Sequence, residues 1–420
     1  MGQHTRIPTT HCGSLARPAD LLDLMKARAA GQPYDPERYA RRVQSAVAES
    51  VKKQVENGID IPSDGEQGKL GFYAYVSERL AGFEGRPGSR LTPFAAEANA
   101  FPEYYERYFS QTMTGGAAVP IVPLVCTGPI TYHGHDAIRR DIAHLKSALA
   151  GASVDDAFLS AVAPSGVGSN EYYPNEERYL LAVAEAMRAE YRAIVDAGFL
   201  LQIDDPFLTD LHADPSWTGA KRRRRAEMYV EAVNHALRGI PSGRVRFHTC
   251  YGINEGPRVH DAPLADVVGV MLKVNAGAYS FEAANARHEH EYHLWERVTL
   301  PDGKRLIPGV ITHASNIVEH PELVAERIVR YAKLVGRDNV IAGTDCGFSS
   351  QATYTPEVHP SVVWAKFQAM AEGARLATAQ LWPRRAKRPT VALRKLRPSG
   401  GAGRRVTRRR SLAARDRARR

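Results

Sequence analysis

The chain has little cysteine, with Cys12, Cys126, Cys250 and Cys346 its only four thiols in 420 residues. So few, so widely spaced, they exclude a disulfide scaffold and leave sulfur free for other chemistry. Long apolar runs are missing as well. None approaches the roughly 18–20 residues of a membrane span, and no charged-then-apolar segment opens the sequence. A soluble protein in a reducing, cytoplasmic setting is therefore expected. No Gly-x-Gly-x-x-Gly follows the first apolar run, which leaves a doubly wound dinucleotide-binding sheet as the weaker alternative for the fold.

Acidic residues are scarce at one end only. The net charge of +10 suggests nucleic acid until it is divided by region: residues 383–420 hold 16 Lys and Arg against one acid, Asp416, whereas residues 1–382 hold 40 basic and 45 acidic residues. The basicity belongs to the tail. With few large apolar residues and several Gly and Pro breaks, residues 383–420 are expected to be disordered. A nucleic-acid or membrane-surface arm is the functional alternative there, and a solvated extension is favoured over it. A shorter basic run, Lys221 to Arg225, reads as a solvated helix face.

Short apolar strand candidates alternate with amphipathic helices along residues 1–382, the pattern of a parallel sheet covered by helices. The strand candidates are 5–11, 58–61, 119–125, 158–163, 199–203, 245–249, 278–281, 306–311 and 339–343. Helices are expected over 36–57, 175–197, 222–238, 321–335 and 362–381, several of them stopped by Gly, as at Gly58, Gly198 and Gly336. The order suits a single (β/α)₈ TIM barrel in the α/β class. Nine candidates compete for eight places, so one is assigned to an inserted segment between about residues 132 and 174.

Polar residues gather where these strands end, at His11 to Ser14, Asp64 to Glu66, Asp204 and Asp205, His248 to Cys250, Glu282, His313, and Asp345 with Cys346. In a barrel those ends share one rim, which is where such folds carry their chemistry. On an extended strand, residues i and i+2 leave the same face, so His248 and Cys250 can grip one ion without a turn. Cys346 adds a second thiolate, and Glu282 is the natural fourth ligand. Two thiolates, one imidazole and one carboxylate suit zinc, and the carboxylate is the poorest match of the four. It can yield its place to an incoming thiol, which the ion would hold as a thiolate nucleophile.

The ordered motifs Thr9-Thr10-His11-Cys12-Gly13-Ser14, Asp64-Gly65-Glu66, Thr127-Gly128-Pro129, Gln202-Ile203-Asp204-Asp205-Pro206, His248-Thr249-Cys250-Tyr251, Gly309-Val310 and Asp345-Cys346-Gly347 resemble the C-terminal catalytic barrel of cobalamin-independent methionine synthase. The resemblance runs from about Ile7 to Trp382. It implies one zinc per chain on His248, Cys250, Glu282 and Cys346, a substrate-binding Asp204, a proton-donating His313, and amino-acid contacts from Gly13 and Ser14; Asp204 is also expected to act in catalysis by orienting His313. His11, Asp64 and Glu66 complete the expected substrate-binding set. The implied reaction is methyl transfer to a small thiol such as homocysteine, as in methionine biosynthesis.

Two departures from the family pattern bear on the substrate. These residues contain no counterpart of the N-terminal barrel of the long members, and the position of a carboxylate that grips the homocysteine amino group falls on Ala74. The chain thus also resembles short single-barrel relatives that include epoxyalkane:coenzyme M transferases, whose acceptor thiol carries a sulfonate and no amine. Alkyl transfer from another donor is the alternative activity. A non-catalytic zinc barrel, or nucleic-acid binding through the tail, is the alternative of another class.

Each residue also has a simpler reading. Asp204 can be a turn or N-cap residue, Glu282 an exposed strand-end acid, His313 a satisfied rim histidine, and Asp64 and Glu66 acids of a tight Gly turn. His290 and His293 offer a rival ligand pair at i+3 but bring no cysteine, and are read as facing substrate or supporting the site. Cys12 and Cys126 are read as packed strand-end thiols.

Overall fold

The computed structural model describes residues 5–86, 94–111, 116–214, 216–252 and 256–383. Among them are nine strands: β1 (Leu80–Gly85), β2 (Leu124–Tyr132), β3 (Phe158–Val162), β4 (Ser169–Asn170), β5 (Leu200–Asp204), β6 (Val245–His248), β7 (Ala278–Phe281), β8 (Arg305–Ile311) and β9 (Gly343–Thr344). Six of these form one parallel sheet in the order β3-β5-β6-β7-β8-β9. Their residues are buried almost throughout, as strands covered on both faces must be.

The sheet is curled, and isolated parallel bridges continue it from both edges. Ser63 pairs with Phe158 at the β3 edge, Thr9 pairs with Ala342 beside β9, and Thr10 pairs with Ile61 between the two. The fold is therefore TIM-barrel-like. The first two strand candidates, 5–11 and 58–61, contribute only these bridges, because the Pro residues at 8 and 62 remove ladder donors from each segment. A small apolar cluster of Ile61, Phe158, Ile307 and Ile341 gathers residues from the N-terminal ends of the strands.

Helices cover the sheet largely where periodicity places them: Pro36–Glu56, Glu176–Asp196, Gly219–Ala236, Pro321–Val335 and Pro360–Leu381. Asp35 caps the first by accepting hydrogen bonds from the amides of Glu37 and Arg38, and Asn175 caps the second through Arg178. Each such cap is worth about 1 kcal/mol. The basic run at Lys221 to Arg225 lies on Gly219–Ala236, where Arg224 pairs with Glu177 and Glu231, and Arg225 with Glu176. These pairs match the reading of a helix face rather than a binding patch.

The surplus strand is not where it was expected. Residues 158–162 are a sheet strand, β3, whereas the candidate at 119–125 leads into β2 of a separate three-stranded sheet, β1-β2-β4. β1 escapes sequence reading because Leu-Ala-Gly-Phe-Glu-Gly has neither β-branched residues nor a clear alternation. Its Gly82 has φ +90°, and a Cβ there would lie 2.5 Å from the carbonyl oxygen of Pro129, so only glycine allows β1 and β2 to approach. The expectation for the basic tail falls outside the described residues, apart from Pro383.

No helix among the described residues is long and apolar enough to cross a membrane.

Candidate metal and substrate site

Strand register brings the polar ends together. Asp204 on β5 is paired with His248 on β6, and His248 with Ser280 on β7. Ile311 on β8 is paired with Thr344 on β9. Two residues beyond these rows, and so on the same face, come Cys250, Glu282, His313 and Cys346. All four are buried.

His248, Cys250 and Cys346 each offer a ligand atom within 4.8 Å of the others. The sulfurs of Cys250 and Cys346 are 3.2 Å apart. That Cys250 contact, and then burial, holds the Cys346 thiol protonated well above its ordinary range. Burial, reinforced by Arg246 and His313, pushes His248 down to about 3, so its imidazole is neutral. A neutral imidazole beside two crowded thiols fits a borderline-soft divalent cation, which takes the place of the thiol protons.

Glu282 belongs to an adjoining group with His313 and Asp345, again within 4.8 Å of one another. Its Oε1 accepts from the amide of Tyr251 (2.8 Å), and its Oε2 from Asn285 (2.8 Å) and Arg287 (3.2 Å). Asp345 Oδ1 accepts from the amides of Ala283 and Ala284, both at 2.7 Å, and Oδ2 from Asn285 at 2.9 Å. The two groups share a border, since Asp345 precedes Cys346 and Tyr251 follows Cys250. His313 Nε2 is 3.3 Å from the Gly252 carbonyl, while its buried Nδ1 has no partner among the described residues. Asp204 does not orient His313, as was expected of it. Its Oδ1 accepts from Gln202 at 2.7 Å, and β5 and β8 are separated by two intervening strands.

A cavity of about 400 Å³, counted with its open mouth, is lined by His248, Cys250 and Cys346 together with Ser14, Glu66 and Asp204. Glu66 has φ 55°, unusual for a residue with a side chain, and its Oε2 is buried without a partner. Burial first, then the Glu66 charge, raises the Asp204 carboxyl well above its ordinary value. No Lys or Arg lines this cavity among the described residues. The Lys69 ammonium is turned to the carbonyl oxygen of Ser160 (2.6 Å), and the buried Arg17 guanidinium is wrapped by the carbonyls of Glu66, Lys69, Ser349 and Gln351. Gly347 closes the wall against Ser14, where a Cβ would fall 2.0 Å from the serine oxygen.

Three of the expected substrate residues lie off this wall. His11 contacts Gln54 through Nε2 (2.8 Å) and accepts from the Gly13 amide through Nδ1 (3.2 Å). Gly13 faces Ser160 and Glu66, and Asp64 accepts from the amide of Glu66 (2.9 Å), its carboxyl raised by burial to about 6. His290 and His293 are exposed and form no metal-ligand group among the described residues. Cys12 was read as merely packed, yet it lines the cavity, with its sulfur 3.6 Å from His248 Nδ1. Cys126 does pack, donating to the carbonyl of Gly128. Asn285 and the anchoring role of Asp345 had no sequence signal, because their bonds span about 60 residues.

The catalytic-domain model of the cobalamin-independent synthases matches residues 173–366. The methionine synthase of Saccharolobus islandicus is 24% identical over 381 residues, covering 89% of this chain and 96% of that protein. That of Sulfolobus acidocaldarius is 23% identical over 345 residues, covering 82% and 86%. A solved B12-independent methionine synthase from Shewanella sp. W3-18-1 superposes with a TM-score of 0.63 at 20% identity, covering 90% of this chain and 99% of that one.

Proposed function

We propose, for a chain that belongs to the cobalamin-independent methionine synthase family, that this (β/α)₈ barrel is a zinc-dependent methyltransferase acting on a small thiol that carries an amino group. The thiol is of the homocysteine type. The observation that carries this reading is the pairing, in one cavity, of a buried imidazole and two thiols with two carboxylates and, among the described residues, no lining Lys or Arg. His248, Cys250 and Cys346 would hold the zinc, which would supply a Lewis acid able to keep a bound thiol as thiolate near neutral pH.

The chain's own residues then sort the substrate. Glu66, with a buried oxygen lacking a partner among the described residues, and Asp204, whose proton affinity burial and then the Glu66 charge raise, favour an ammonium over any anion. An ammonium between them would satisfy Glu66 Oε2 and offset both the burial and the repulsion that raise the Asp204 carboxyl. Glu66 thus supplies a carboxylate although Ala74 does not. A sulfonate thiol would meet two acids and, among the described residues, no Lys or Arg on the cavity wall, which disfavours the coenzyme M type of acceptor. His313, with Nδ1 free of partners among the described residues, is the group we assign to proton exchange with the reacting molecules. Glu282 is the fourth ligand in this reading, and would exchange its Tyr251, Asn285 and Arg287 contacts to reach the ion.

We assign the methyl donor to the wider cavity walled by Phe94, Phe207, Trp217 and Tyr229, whose aromatic lining supports this reading. Phe207 stacks on Phe72, which lines the metal cavity, with ring centroids 6.2 Å apart. Zinc-edge X-ray absorption decides the acceptor. One additional sulfur neighbour should appear with homocysteine and not with 2-mercaptoethanesulfonate; the reverse pattern overturns the assignment.

A further inference from the structure

We infer that Cys12 is a positioning residue for the metal-binding histidine: its sulfur, with the Ser280 hydroxyl, holds the proton of His248 on Nδ1 and so turns the Nε2 lone pair toward Cys250 and Cys346. The inference rests on the metal reading of His248, Cys250 and Cys346.

Two contacts reach the same ring nitrogen. Ser280 Oγ is 3.2 Å from His248 Nδ1, and Cys12 Sγ is 3.6 Å from it. The thiol proton of Cys12 is directed elsewhere, to the carbonyl of Thr344 at 3.2 Å. The sulfur therefore presents lone pairs, not a proton, to the imidazole, and acts there as an acceptor. Its contact with Ser280 Oγ, at 3.7 Å, closes the triangle. The position of the thiol is set by the segment that carries a metal ligand. The Cys12 amide donates to Thr344 Oγ1 (3.2 Å), and that hydroxyl donates to the carbonyl of Cys346 (2.9 Å). Movement at Cys346 is thus felt at Cys12.

Burial makes these contacts matter. Cys12 is 4% exposed, His248 3% and Ser280 0%, so no bulk water can reach Nδ1 in their place. A histidine whose second nitrogen is held by an acceptor is fixed in tautomer and ring orientation, and loss of such a partner lowers metal affinity by about 10–100-fold. Cys12 is not itself grouped with the three ligand atoms, which separates support of the ligand from ligation. A thiol is a weak acceptor, so the expected effect lies at the low end of that range.

The test pairs Cys12→Val, which fills the place of the sulfur with methyl groups and removes the acceptor, with Cys12→Ser, which keeps an acceptor. Zinc competition against a chelator should show about a tenfold weaker site in the valine variant, and within about threefold of the parent affinity in the serine variant. Equal affinity in the parent and the valine variant overturns the inference. So does a serine variant that loses one sulfur neighbour by zinc-edge absorption, since Cys12 would then be a ligand. A second readout needs no metal: ¹⁵N-imidazole NMR of the metal-free protein, with His248 assigned by His248→Gln. The parent should show the Nδ1–H form and the valine variant a mixture of tautomers; an Nε2–H parent ends the inference. Failure of the parent to bind zinc would instead sink the metal reading and leave the tautomer measurement standing.

Discussion

The two buried groups on the rim, His248 with Cys250 and Cys346 and Glu282 with His313 and Asp345, come from neighbouring positions on the same strand ends, yet their polar atoms are satisfied in opposite ways. In the first, the thiols mainly face each other. In the second, the two carboxylates receive six hydrogen bonds from Tyr251, Ala283, Ala284, Asn285 and Arg287. A group short of partners needs something from outside the chain, whereas a group whose partners are present serves the fold. The difference separates a site for an ion from the frame around it, with Glu282, and His313 with its Nδ1 unpartnered among the described residues, at the boundary.

Removing a sulfur should therefore abolish metal and spare the fold. Cys250→Ser and Cys346→Ser are expected to drop zinc from about one equivalent per chain to under about 0.1 after dialysis, and turnover with it. Full zinc in both variants by elemental analysis would refute the assignment. The opposite pattern is expected one residue earlier. Asp345→Ala leaves two amides and one N–H of Asn285, whose other N–H stays on Glu282, without an acceptor in the interior. At roughly 1–3 kcal/mol for each orphaned donor, partly relieved by water, the cost should reach about 3 kcal/mol or more. Urea unfolding measures it, and an unchanged midpoint would erase the contrast between the groups.

How much of this contrast could be read before folding follows from the range of each interaction. His248 and Cys250 were legible because a strand alternates with period two over three residues, and β6, β7 and β8 were legible as short apolar runs bounded by turn residues. Cys346 became meaningful only once a barrel-like order put β9 beside β8. Asp345 was legible only as a rim acid, and its anchoring role, like Asn285 itself, was invisible, since an aspartate before a cysteine and an asparagine after two alanines carry no local pattern. Cys12 was undervalued for the same reason: its neighbours Ser280 and Thr344 lie 268 and 332 residues away. β1 was missed because its pairing with β2 depends on a backbone approach at Gly82, not on side-chain alternation.

The frame extends behind Glu282, and there the contrast acquires a pH dependence. Arg287, which donates to Glu282, also pairs with Asp261, and Asp261 accepts from His288 Nε2 at 3.2 Å. His288 Nδ1 donates to Glu291 at 2.9 Å, and its ring stacks on Tyr251 at 4.0 Å. Burial opposes a charge on His288, but the hydrogen bonds to Asp261 and Glu291 outweigh it and raise the imidazole from 6.5 to about 9. A histidine whose folded value is raised contributes stability that is fully present below pH 6.5 and is lost as pH climbs through about 9. The loss should be on the order of 3 kcal/mol across that window. In His288→Gln the fall should flatten, and a parent whose stability is level from pH 6.5 to 9 would show that the frame holds no such charge.

The smallest effect tests whether Glu66 sides with the ion site or with the frame. Its Oε2 lacks a partner, as the site's atoms do, yet Arg17 grips its carbonyl and its amide donates to Asp64, as in the frame. If the free oxygen awaits an ammonium, Glu66→Gln should raise KM for an amino-thiol by about tenfold, the value of one charge-assisted hydrogen bond. A desamino thiol of the same length should be used equally by parent and variant, because the lost charge never faced it. Zinc content and the unfolding midpoint should stay as in the parent, which distinguishes the outcome from the Cys346 and Asp345 changes. Equal weakening toward both thiols would place Glu66 in the frame, and the selectivity for an amine would then have to come from Asp204 alone.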